Sequence, residues 1–279
     1  MNHPLRLKLL AIAVAASLVG CTGGQTLPEK GPKTAQAVLE KALALPLPKT
    51  LQGMSRLDSY VKGEARKGDV LLLLERPGKA QFKVLTPTLD LIAALTTDGS
   101  RFSSFQRGHA QCHVGEACAA NIARLVPIAL PPKQMVDAML GLPPLIDSPK
   151  RKLGWDSKRG AYKVRIGPTK DGTTQDVWVR PNDFRILAAV IEKGGKRVAS
   201  IAYTGHDDVA KMGPPKVMRM LLPAKQIDMS LTLRDVELNA PIEADVFAPT
   251  CPTGTVAIEL PCQAAGPVLQ PPAPARSQP

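Results

Sequence analysis

Between Gly68 and Gly108 the chain alternates apolar and polar residues in short runs broken by turns. Val70–Leu74 is continuously apolar and stops at Arg76-Pro77-Gly78. Ala80–Leu85 alternates, with Phe82 and Val84 on one face and Gln81 and Lys83 on the other. Leu89, Leu91, Ala93 and Leu95 keep the period of two until Asp98-Gly99 turns the chain into Arg101–Gln106. Apolar alternation bounded by Pro-Gly and Asp-Gly turns predicts an antiparallel meander. Its apolar face needs a cover from elsewhere in the chain.

Thr34–Leu45 predicts an amphipathic helix capped by Thr34, with Val38, Leu39, Ala42, Leu43 and Leu45 on one face, and it is the candidate cover. Met54–Arg66 reads as a first strand. His109–Cys118 reads as a polar loop, and Ala119–Val126 and Gln134–Leu140 as two short helices separated by prolines. Strands return from Lys152 onwards, at Ala161–Ile166, Thr174–Arg180, Arg185–Glu192, Lys196–Thr204 and Pro215–Leu222. Ile227, Met229, Leu231 and Leu233 then alternate with polar residues, and the phase slips by one before Val236, which predicts a bulge near Arg234-Asp235. About ten or eleven strands result, too many for one flat twisted sheet. The expected class is mostly β with a few helices, an incomplete antiparallel barrel whose concave face the helices cover.

Composition narrows this picture. Hydrophobic residues make up 44% of the chain but aromatics only 4%, so the core is aliphatic. The formal net charge of +12 reads as a solvated basic surface, with attraction to anionic lipid headgroups the sharper alternative.

The N-terminus changes the picture most. Arg6 and Lys8 precede an apolar run, Leu9–Val19, too short to span a bilayer, and the run ends in Leu18-Val19-Gly20-Cys21. That ending resembles the lipobox of bacterial lipoproteins. The resemblance implies cleavage after residue 20 and lipid on Cys21, and Thr22 favours the outer membrane. Export excludes a nucleic-acid partner. Residues 21–33 read as a flexible tether, 34–262 as the folded domain, and the Pro/Ala-rich 263–279 as a disordered tail.

With Cys21 lipidated, Cys112, Cys118, Cys251 and Cys262 form an even set, read as two disulfides in an oxidising compartment. Three pairings are open. The short local loops favour Cys112–Cys118 with Cys251–Cys262. A metal site at His109, Cys112, His113 and Cys118 is the alternative, but the spacing fits no zinc pattern, so neither metal nor cofactor is expected. Catalysis is not expected either. Ser59 and Lys62 match Ser-x-x-Lys without companion motifs, and His206-Asp207-Asp208 reads as a solvated loop.

The order of elements resembles the LolA/LolB lipoprotein-carrier superfamily. The resemblance rests on Thr97-Asp98-Gly99, on the proline-rich helix pair from Ala119 to Leu145, and on Asn239-Ala240-Pro241, Phe247 and Pro252-Thr253-Gly254. It covers about residues 34–260. The chain departs from the family in its length and its cysteine pairs, and no residue matches the carrier's functional arginine or the receptor's protruding apolar loop. The resemblance implies an apolar half-barrel cavity that binds lipid or acylated lipoprotein, on the periplasmic side of the outer membrane. The candidate lining residues are Leu71, Leu73, Phe82, Val84, Leu89, Leu91, Leu95, Met229, Leu231 and Leu233. The competing reading is a non-enzymatic envelope scaffold, built on the same half-barrel with a filled core and bound to an envelope partner.

Overall fold

The computed structural model describes residues 25–124, 126, 129–206 and 213–262. The expected signal peptide, Cys21 and the tail from 263 lie outside them. Helix α1 (Ala35–Leu43) leads into strands β1 (Thr50–Val61), β2 (Glu64–Glu75), β3 (Lys79–Leu85), β4 (Leu91–Thr97), β5 (Arg101–Gln106) and β6 (Gln111–Glu116). Helices α2 (Ala119–Ile122) and α3 (Pro132–Met139) follow. Next come β7 (Arg151–Asp156), β8 (Ala161–Ile166), β9 (Thr173–Val179), β10 (Ile186–Lys193), β11 (Lys196–Thr204), β12 (Val217–Leu222), β13 (Ile227–Leu238) and β14 (Val256–Leu260).

The described strands form a single 14-stranded sheet in the order β14-β6-β5-β4-β3-β2-β1-β13-β12-β11-β10-β9-β8-β7. The chain therefore starts mid-sheet and steps outward to β6. It restarts at the far edge with β7 and steps back until β13 pairs with β1. Every pairing is antiparallel except β14 on β6. Each strand is rotated relative to its neighbour by roughly 20–25°, so fourteen of them curl, leaving a concave and a convex face.

The predicted bulge is present. Gly53 pairs with Val236 and Ser55 with Leu233, which leaves the extra residue at Arg234-Asp235. Gly53 has φ +150°, and a β-carbon there would overlap the Asp235 carbonyl, so only glycine passes the bulge.

Three expectations need correction. The first strand was expected to run through to Arg66, but the chain turns at Lys62-Gly63, both with positive φ, and Val70–Leu74 is the second half of β2. The stretch expected as a polar loop holds β6, stabilised by its pairing with β5 on one side and β14 on the other rather than by apolar alternation. The helix expected to cover the central meander, α1, rests instead on β7 and β8 at the other side of the sheet. There it buries Ala35, Val38, Leu39 and Ala42, with Thr34 Oγ1 accepting from the Ala37 N–H at 3.2 Å. The meander is covered by α3, which packs on β3.

The cysteine pairing also differs. The disulfides are Cys112–Cys251 and Cys118–Cys262, with Cα–Cα separations of 5.8 and 6.1 Å. Extended β6 lies between Cys112 and Cys118, and extended β14 between Cys251 and Cys262. At about 3.3 Å per residue, each strand holds its flanking cysteines far beyond the reach of a disulfide. Parallel pairing brings Cys118 and Cys262 together just beyond the two strand ends, while Cys112 lies opposite Ala257 and the turn at Pro252–Thr255 before β14 returns Cys251 to it.

From Gln25 onward, the stretch expected as a tether is held against the sheet. The Gln25 N–H donates to the Ser157 carbonyl at 3.0 Å, and Trp155 Nε1 donates to the Gln25 carbonyl at 2.7 Å.

Candidate functional site

The concave face carries one aliphatic cluster that runs through both halves of the sheet. On β2 it takes Val70, Leu72 and Leu74. Phe82 pairs with Leu72 and Leu95, and Val84 with Val70. On the other side Met229 pairs with Met220, and Leu231 with Met218. Of the ten expected lining residues, Phe82, Val84, Leu95, Met229, Leu231 and Leu233 belong to this surface.

The other four do not. Leu71 and Leu73 alternate with Val70, Leu72 and Leu74, and so face the convex side. They line an open groove of about 510 Å³ with Gln52, Gly53, Asp235, Val236 and Glu237, beside the bulge. Leu91 sits at a register shift between β3 and β4 and stays outside the cluster. Leu89 is not in a strand. It is 69% exposed at the tip of the β3–β4 loop, with φ +65°. That loop is braced by Thr86 and Thr88, whose hydroxyls both donate to Asp90 Oδ2, at 3.3 and 2.8 Å.

The roof over the concave face is α3 with the segment that follows it. Buried Met135 and Met139 of α3 share the core cluster with Met218, Met220 and Met229, so flexible, polarisable side chains concentrate there. Polar groups tie the roof down. Asp137 on α3 accepts from Arg76, after β2, at 3.1 Å, and Lys133 of the same helix backs its carboxylate at 2.8 Å. The Tyr203 hydroxyl on β11 donates to the Ala138 carbonyl at 2.8 Å. Burial pushes the Tyr203 phenol well above its ordinary pKa, so it remains a donor. Gln175 on β9 is buried, accepts from the Ile146 N–H and donates to the Pro144 carbonyl, both at 2.9 Å. No sequence motif marks these ties, although an inward Gln or Tyr within an apolar alternation is the signal that could have found them.

At one rim, the roof meets the sheet around a crevice lined by Leu45, Leu47, Leu140, Leu142, Arg185 and His206, among others. It holds about 20 Å³, room for one water. Beside it, Asp183 is 2% exposed in its side chain and accepts from Arg180 Nε at 2.8 Å. Burial is the largest single influence on Asp183 and opposes its ionisation, but the hydrogen bonds and charges of Arg180 and Arg185 together outweigh it and hold the carboxyl below its usual pKa. Both ring nitrogens of His206 are shielded from solvent. Desolvation first, then Arg180 and Arg185, lowers its pKa to about 4.

The weaker candidates separate. Ser59 donates to the Arg66 carbonyl at 3.4 Å, while Lys62 sits in the hairpin turn. Both thiols of the alternative metal set are in disulfides. Asp207 and Asp208 lie outside the described residues.

No protein-family model and no curated protein sequence matches the chain. Solved structures do. A LolA superfamily protein from Nitrosomonas europaea aligns with a TM-score of 0.51 at 14% identity, covering 78% of this chain and 98% of that one. A DUF1329 family protein from Desulfovibrio piger aligns at 0.55 and 10% identity, covering 77% and 98%. A domain assigned to outer membrane lipoprotein sorting, from Vibrio parahaemolyticus, aligns at 0.51 and 13%, covering 77% and 96%. The half-barrel is thus a fold that this chain shares with these structures, and at these identities the likeness speaks for the fold alone.

Proposed function

We propose that the protein is a lipoprotein of the bacterial outer membrane, anchored through Cys21 and facing the periplasm, that takes up acyl chains of a lipid or lipoprotein on its concave face. It works without catalysis. The observation that carries this reading is a continuous aliphatic surface roofed by a helix of only eight residues and held down by a few polar ties. Acyl chains can replace the roof's apolar contacts, so opening costs mainly the ties, at about 1 kcal/mol for each neutral hydrogen bond and no more than about that for the partly exposed Arg76–Asp137 ion pair. Each methylene taken out of water returns about 0.8 kcal/mol, so ten of them exceed that cost.

Leu89 supports the reading a second time. A leucine held exposed on a braced loop tip is available to touch an acylated cargo. The fold shared with a lipoprotein-sorting domain agrees with it.

One observation favours the scaffold reading. The crevice where the roof meets the sheet holds only about 20 Å³, and the side chains of the cluster beneath the roof are almost wholly buried against one another. Native mass spectrometry of residues 22–279, exported to an oxidising periplasm, separates the two. A carrier yields a bound mass that extracts as phospholipid or acylated peptide. A clean apo mass with no uptake of added phospholipid refutes the carrier and leaves the scaffold.

A further inference from the structure

The segment behind the expected anchor site is docked, not free. Its first described residue, Gln25, is clamped at the β7–β8 turn by hydrogen bonds to Ser157 and Trp155. Two glycines make room for it. A β-carbon at Gly160 would overlap the Gln25 amide, and one at Gly31 would overlap the Tyr162 hydroxyl. Four residue steps separate Cys21 from Gln25, and an extended chain covers at most about 14 Å in that number.

Alongside the clamp, the surface carries the chemistry of a lipid contact. Leu27 is 49% exposed on the strap. Lys158 is exposed in the turn, and the Arg159 guanidinium lies 4.3 Å from the centre of the Trp178 ring. Lys30 and Lys33 add charge, against Glu29 and Asp156. The net sign is positive, complementary to anionic phospholipid within a Debye length of about 8–10 Å.

Strand directions put other loops far away. β8, β10 and β3 run the same way through the antiparallel sheet, so the β8–β9, β10–β11 and β3–β4 loops share the rim opposite the β7–β8 turn. β8 has six residues and β10 has eight, which places that rim about 20–26 Å further from the clamp.

We infer that the β7–β8 turn, with the docked strap of residues 25–31, is the membrane-facing surface, seated on anionic phospholipid, and that the rim bearing Leu89 points away from the membrane that anchors the chain. This rests on acylation of Cys21, as in the function proposed above. A membrane touched by Leu89 is then a different one, or the loop meets cargo.

The test uses the full chain purified in its processed form, with Cys21 acylation read by mass spectrometry, in vesicles of phosphatidylethanolamine and phosphatidylglycerol. Lys158→Cys, Lys170→Cys and Lys196→Cys, each labelled with a fluorophore, are quenched by a headgroup-attached nitroxide. Quenching at 158 is expected to exceed that at 170 and 196 at least about threefold, given the ~14 Å reach and the strand-length offset. Hydrogen exchange on the unsubstituted chain is expected to slow around residues 156–160 on vesicles relative to detergent. An acylated chain quenched equally or more at 170 and 196, without that protection, overturns the orientation alone. An unmodified Cys21 overturns the anchor and the orientation together.

Discussion

Pairwise removal of the disulfides has a thermodynamic signature that depends on their connectivity. Cys112 and Cys251 are 139 residues apart, and Cys118 and Cys262 are 144 apart. Either bridge alone closes a long loop, worth about 5 kcal/mol in the chain-entropy account. With one bridge in place, the other closes only the short ring through both strands. That ring is six steps along β6 and eleven along β14, about 17 residues, worth about 3 kcal/mol. Cys118→Ala with Cys262→Ala should therefore cost about 3 kcal/mol, and Cys112→Ala with Cys251→Ala about the same plus a packing loss, while removing all four adds up to about 8 kcal/mol before that loss. The double cycle carries a coupling of about 2 kcal/mol, and the packing loss at buried Cys112 cancels from it. Urea unfolding of the three variants and the parent, under non-reducing conditions, measures it. Local bridges would instead cost about 2–3 kcal/mol each and add without coupling, because their loops share no residues. An additive cycle would refute both the connectivity and the reasoning from parallel β6 and β14.

Three further outcomes follow from the geometry. Tyr203→Phe removes the Tyr203–Ala138 tie and should lower stability by about 1 kcal/mol while increasing uptake of a fluorescent fatty acid; unchanged uptake would mean that the roof does not gate the concave face. His206 titrates at about 4 when folded, against about 6.5 when unfolded, so the unfolded chain binds more protons between those values. Stability should thus be steady above pH 6.5 and fall as the pH drops towards 4, and His206→Leu should flatten that decline in pH-dependent urea midpoints. Leu231→Ala, in the core, should cost about 2–5 kcal/mol, whereas Leu89→Ser should change stability by less than about 0.5 kcal/mol yet slow acyl transfer to acceptor vesicles.

Much of the site was legible where the signal was local. Phe82, Val84 and Leu95 alternate with polar neighbours, and so do Met229, Leu231 and Leu233, so their common face can be read directly. The run Val70–Leu74 offers no such contrast. Leu71 and Leu73 are the expected inward residues, but pairing of β2 with β1 and β3 turns Val70, Leu72 and Leu74 inward instead. Leu89 continued the period of two on paper, yet the hydrogen-bonded turn of Thr86, Thr88 and Asp90 takes it out of the strand.

By itself the sequence determined the class of the protein: a curled antiparallel sheet, the bulge at Arg234-Asp235, two mid-chain helices and four cysteines ready to pair. These follow from periodicity and turn chemistry, which act over a few residues. Tertiary structure alone decided which helix covers which half of the sheet, which cysteines meet, and where the strap from Gln25 is clamped. Each of those is a contact between segments far apart in sequence. The register of strand pairing and the curl of the sheet select such contacts, and no local pattern encodes either.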